Sequence, residues 1–66
     1  MENKLIQNEK GEYVFTGTIK NSKETVEATF NVETNRGIAN YEYGDIYKGE
    51  MLYTICEFLN IIKRCL

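Results

Sequence analysis

The chain has 66 residues and a formal net charge of −2, from eight Lys and Arg against ten Asp and Glu, and it contains no histidine. A domain this small buries only about 60% of its unfolded surface, which leaves no room for a core and a deep catalytic cleft together. The slight, interspersed charge lacks the basic face of a dedicated nucleic-acid binder, and it does not by itself make the chain a nucleic-acid mimic.

The 42% apolar fraction points to a single globular domain over residues 1–66 rather than to disorder. The opening Met1-Glu2-Asn3-Lys4 is polar, with only Leu5-Ile6 behind it, so no signal peptide is expected. Residues 3–7 fit a short edge strand with Ile6 opposite Tyr13. Asn8-Glu9-Lys10-Gly11 reads as a turn whose glycine supplies a left-handed last residue. Residues 12–20 then alternate, with Tyr13, Phe15, Gly17 and Ile19 on one face.

Lys20-Asn21-Ser22-Lys23 is the next turn, and Asn tolerates the left-handed region. Residues 24–33 alternate with Val26, Ala28, Phe30 and Val32 on one face. Thr34-Asn35-Arg36-Gly37 repeats the tetrad ending in glycine. Residues 38–44 follow with Ala39, Tyr41 and Tyr43 in phase. Matching large against small side chains across hairpins predicts the rows Phe15–Phe30–Tyr41 and Gly17–Ala28–Tyr43. A one-residue slip would bury Asn40 and Glu42 instead.

From about residue 49 the spacing changes. Leu52, Ile55, Leu59, Ile62 and Leu66 recur at three-four intervals, flanked by Met51, Phe58 and Cys65. This predicts an amphipathic helix of about four to five turns. Glu50 near its start and Lys63 with Arg64 near its end suit the helix dipole. Glu57, Asn60 and Lys63 break its apolar run, so no membrane span is expected. The predicted architecture is α+β: an antiparallel meander of three or four strands with one C-terminal amphipathic helix packed on one sheet face.

No catalytic, cofactor or metal site is expected. The missing histidine removes the commonest general base and metal ligand. Cys56 and Cys65 sit roughly 13 Å apart along a helix axis, beyond disulfide reach and without zinc spacing. They read as small apolar residues at the helix–sheet interface, and free thiols fit a cytoplasmic location. Glu27 and Glu42 fall on the open sheet face among Thr16, Thr18, Thr25, Thr29, Asn31 and Asn40. A carboxylate pair for glycoside chemistry needs a cleft around it. The solvated face of a one-sided sheet accounts for the same residues more simply. That face lacks the aromatic and basic residues that single-stranded nucleic acid requires.

Elimination leaves a non-enzymatic protein-binding domain. Tyr47 and Tyr53 fall outside the assigned core and are the expected anchors, because tyrosine is enriched at binding hot spots. Ile61 lies off the predicted helix stripe, and Glu57 joins it on the outer side. Glu42, Asp45 and Glu50 are close by in sequence and suit a basic partner. In size and general type the chain resembles small phage-encoded inhibitors such as anti-CRISPR proteins, an analogy that covers no motif. It implies steric blocking of a larger host protein or protein–nucleic-acid complex, with no direct nucleic-acid binding and no membrane. Two alternatives stand beside it. One is a small homodimeric structural or regulatory subunit, paired through an edge strand or the Tyr53 and Ile61 side of the helix. The other is a weakly acidic nucleic-acid mimic presenting Glu24, Glu27, Glu33, Glu42, Asp45 and Glu50.

Overall fold

The computed structural model describes the backbone of residues 2–43 and 47–66, and the side chains of residues 2–43 and 54–66. Five strands, β1 (Lys4–Gln7), β2 (Tyr13–Thr18), β3 (Thr25–Asn31), β4 (Arg36–Tyr43) and β5 (Tyr47–Tyr53), precede one helix, α1 (Ile55–Cys65). The strands form one antiparallel sheet in the order β1-β2-β3-β4-β5. The helix packs across one face of this meander, as the alternation and the late change of period predict.

The buried residues of the sheet follow the predicted faces. Phe15, Val26, Ala28, Phe30, Ala39 and Tyr41 are buried on the helix side, and Phe58, Ile61 and Cys65 close over them from α1. Phe30 and Phe58 stack with centroids 5.2 Å apart and an interplanar angle of 18°. The rows, however, differ from those predicted. Phe15 pairs with Ala28 and Ala28 with Ala39; Tyr13 pairs with Phe30 and Phe30 with Gly37; Gly17 pairs with Val26 and Val26 with Tyr41. Phe15 thus meets Ala28 rather than Phe30, and Phe30 meets Gly37 rather than Tyr41. Both shifts are by an even number of residues, so every side chain keeps its face. Each row still sets large residues against small ones.

The turns impose this register. Ile19 N donates to Glu24 O at 2.8 Å, which closes a four-residue loop over Lys20–Lys23 and forces Phe15 opposite Ala28. Asn21 in that loop has φ 62°, the left-handed conformation expected of it. Between β3 and β4 the loop is Val32–Asn35 rather than Thr34–Gly37. Asn31 Oδ1 accepts from Glu33 N at 2.9 Å and from Thr34 N at 3.2 Å. Asn35, at φ 55°, takes the left-handed position assigned to Gly37. An asparagine that ties its own turn outcompetes the glycine signal. Gly11, at φ 83°, does close the first turn.

The helix is shorter than predicted. Residues 49–53 belong to β5, where Tyr41 pairs with Gly49 and Gly37 with Tyr53. The segment Tyr47-Lys48-Gly49-Glu50-Met51 also satisfies a period of two, and the outer edge of β4 needs a hydrogen-bonding partner. Thr54 is the N-cap residue without a side-chain cap bond. Instead, Asn35 Oδ1 accepts from Ile55 N at 3.3 Å. At the other end Lys20 N donates to Arg64 O at 2.9 Å, and Asn3 Nδ2 donates to Cys65 O at 2.9 Å. The helix therefore runs from the β3–β4 turn towards the β2–β3 turn, tethered at both ends.

Gly17 makes one tether possible. A Cβ there would collide with Asn3 Oδ1 and sit 3.1 Å from Phe15 Cζ. Gly17→Ala should therefore displace the Asn3 side chain and break its bond to the Cys65 carbonyl, costing about 1 kcal/mol. In denaturant melts, Gly17→Ala should lower stability by that amount, and Asn3→Ala in the same background should add nothing further. Additive losses would mean that Asn3 does not act through Gly17.

Candidate protein-docking site

The helix is rotated from its predicted phase. Its buried residues are Phe58, Ile61 and Cys65. The predicted stripe of Ile55, Leu59, Ile62 and Leu66 lies roughly a quarter-turn away. Leu59 is 57% exposed and Leu66 70%, whereas Ile61 is only 1% exposed. Ile61, expected on an outer partner surface, is thus a core residue. Phe58 stacking on Phe30 fixes this rotation, because a helix cannot seat that ring and also turn the Leu59 side inward.

The rotated stripe forms one wall of an open apolar groove of about 430 Å³. Ile55, Leu59 and Ile62 line the helix side; Leu5, Tyr13 and Val32 line the sheet side; Phe30 and Phe58 lie between them. Among the described residues only Asn35 and the Tyr13 hydroxyl bring polar groups to it. The groove exists because α1 lies over β2 to β5, while among the described residues β1 has no close backbone approach to it. Leu5 is 53% exposed and Val32 60%. Among the described residues no carboxylate, amine or thiol lines the groove, and the Tyr13 phenol is its one titratable group.

Leu5 reaches this wall through the first turn. Asn8 Oδ1 accepts from Lys10 N at 3.0 Å and Glu12 N at 2.9 Å, and Asn8 N donates to Glu12 O at 2.9 Å. Pairing Asn8 with Glu12 sets Gln7 opposite Tyr13 and Leu5 opposite Phe15. The sequence pairing of Ile6 with Tyr13 is off by one, so Leu5, not Ile6, lies on the helix side.

Of the residues predicted for partner contact, Glu42 and Glu57 are described and do not line this groove, and Ile61 is in the core. Glu57 is exposed in the first turn of α1, on the side of the helix turned away from the groove. Glu42 is exposed near the end of β4, opposite Thr25. Asp45 lies outside the described residues. Tyr47, Glu50 and Tyr53 pair by backbone with Tyr43, Asn40 and Gly37, and their side chains lie outside the description. The groove residues Leu5, Tyr13, Val32, Ile55, Leu59 and Ile62 were not expected in a site. Their signal was present in the helix stripe, which periodicity assigned to the core.

The cysteines divide. Cys65 is buried as predicted, and burial pushes its thiol pKa up, whereas Cys56 is exposed rather than at the helix–sheet interface. The Tyr41 hydroxyl is buried without a hydrogen-bond partner among the described residues. Burial raises its pKa, against the opposing pull of the nearby Arg64 charge. On the open face Glu27 is exposed, with Thr16 and Asn40 across from it. No cluster of three or more His, Cys, Asp or Glu residues able to hold a metal occurs among the described residues. No described helix is long and apolar enough to cross a membrane. Comparison with known family models, with curated proteins and with solved structures gives no match.

Proposed function

We propose that this chain is a non-enzymatic protein-binding domain whose contact surface is the groove between α1 and the β1–β3 end of the sheet. The observation that carries this reading is the helix stripe left largely uncovered, with Ile55, Leu59 and Leu66 exposed and Ile62 half-buried. Scattered exposed apolar residues are ordinary, but here they are contiguous and line both walls of a concavity. A shallow apolar groove whose described lining brings only the Asn35 amide and the Tyr13 hydroxyl as polar groups suits an apolar segment of another protein better than a reacting substrate. This reading centres the contact on the groove rather than on Tyr47 and the neighbouring acids. In size and type the reading remains that of a small phage-type inhibitor, of the anti-CRISPR or another anti-defence kind, which blocks a host protein sterically. Smallness and the lack of any prosthetic motif in the sequence support that finer assignment.

The test compares wild type with Leu59→Lys. Leu59 is exposed, so the variant should melt within about 2 °C of wild type, as surface changes do. Proteins retained by immobilised wild type from bacterial lysate should bind Leu59→Lys at least about tenfold more weakly, a loss of about 1.4 kcal/mol. Glu57→Lys, on the opposite side of the helix, should bind them as wild type does. Equal binding by Leu59→Lys would overturn the groove as the contact surface. A stable dimer of wild type that Leu59→Lys abolishes would instead favour the homodimeric subunit.

A further inference from the structure

Resting on that docking reading, we propose that the groove and the free edge of β1 together receive an extended segment of the partner. The segment adds as a sixth strand beside β1, and its alternate large apolar side chains lie in the groove. β1 ends the strand order, and all four of its residues are exposed. The direction of its backbone groups follows from the ladder. The bond from Asn8 N to Glu12 O marks Asn8 and Glu12 as a hydrogen-bonded pair. Antiparallel pairs alternate between bonded and non-bonded. Ile6 with Val14 is therefore bonded, while Gln7 with Tyr13 and Leu5 with Phe15 are not. The amide and carbonyl of Leu5 and of Gln7 point away from β2, into the open edge.

Leu5 thus carries both halves of the site. Its side chain lines the groove, and its backbone faces an incoming strand. A strand bonded to Leu5 lies about 4.8 Å away, and its residues two apart project to the helix side about 7 Å from one another. Those side chains rest against Leu5 and lean towards Leu59 and Ile62. Backbone bonds supply attachment and the groove supplies selectivity, as in other cases of strand addition. A partner helix would fill the groove but leave the edge groups unused. A second copy pairing β1 with β1 would offer Asn3, Leu5 and Gln7 on the helix side, one apolar residue in three, and would leave the groove open. Lys4, exposed on the other face, favours an acidic residue opposite it in the added strand.

The probe is a short synthetic peptide alternating leucine and threonine, with a glutamate at each end. Titrated into the isotope-labelled full chain, it should bind saturably below about 1 mM and slow amide exchange at Leu5 and Gln7 at least about tenfold. Chemical synthesis of the full chain with N-methyl-Leu5 removes the outward N–H without touching a bond to β2. It should weaken peptide binding at least about tenfold, as should Leu59→Lys. A peptide N-methylated along one edge should fail likewise against the unmodified chain, which keeps the test decisive if the modified chain folds poorly. No saturable binding, or binding indifferent to both N-methylations, would overturn strand addition. Loss of the captured partner with Leu59→Lys, but not with N-methyl-Leu5, would leave the docking reading standing and refute only the strand. Slowed exchange that depends on protein concentration without peptide would show self-pairing of β1 and overturn the choice of partner.

Discussion

Phe30→Ala should leave the domain unfolded at room temperature. Phe30 is 2% exposed, lies in one row with Tyr13 and Gly37, and stacks on Phe58. Truncating a buried aromatic costs about 3–5 kcal/mol through lost transfer energy and the cavity left behind. Whole-domain stability at this length is on the order of 3–10 kcal/mol. The small facing residue deepens the loss, since Gly37 has no side chain to move into the void. The measurement is thermal melting followed by circular dichroism. A cooperative transition within a few degrees of wild type would show that the Phe30 ring does not hold helix and sheet together.

The second large effect separates two neighbouring helix positions. Ile61→Lys should abolish cooperative folding, whereas Leu59→Lys should barely change the melt. Ile61 is among the most buried side chains, and an ammonium placed there has no partner and little water. The penalty is several kcal/mol, comparable to the total stability. Leu59 already stands in solvent along the groove wall, so a lysine there loses little packing and keeps its charge hydrated. Helical periodicity read from the sequence gives the opposite ranking, with Leu59 inside and Ile61 outside. If Leu59→Lys unfolds the chain and Ile61→Lys does not, the helix is seated the other way round and the groove does not exist.

That reversal locates what was legible in the chain before folding. Alternation identified the strands from residue 12 to residue 43 and assigned each of their residues to a face, because a slip of one would bury Asn40 and Glu42. Turn chemistry placed Gly11 and Asn21, since few residues tolerate positive φ. The α+β meander with a C-terminal helix followed from these local signals. Pairing across strands did not. Shifts of two or four residues preserve every face, so side-chain matching alone leaves several registers open, and the turns select among them through the Asn8 and Asn31 side-chain bonds, the Ile19–Glu24 closure and the left-handed Asn35. Residues 47–53 satisfy two periods at once, and the partnerless edge of β4 made them a strand. The helix carries two overlapping apolar stripes, Ile55–Leu59–Ile62–Leu66 and Phe58–Ile61–Cys65. The sequence by itself determined that both exist. Only the seating of Phe58 on Phe30 decided that the second is buried and the first, apart from half-buried Ile62, left open, because a single helix over this sheet can fully bury only one of them.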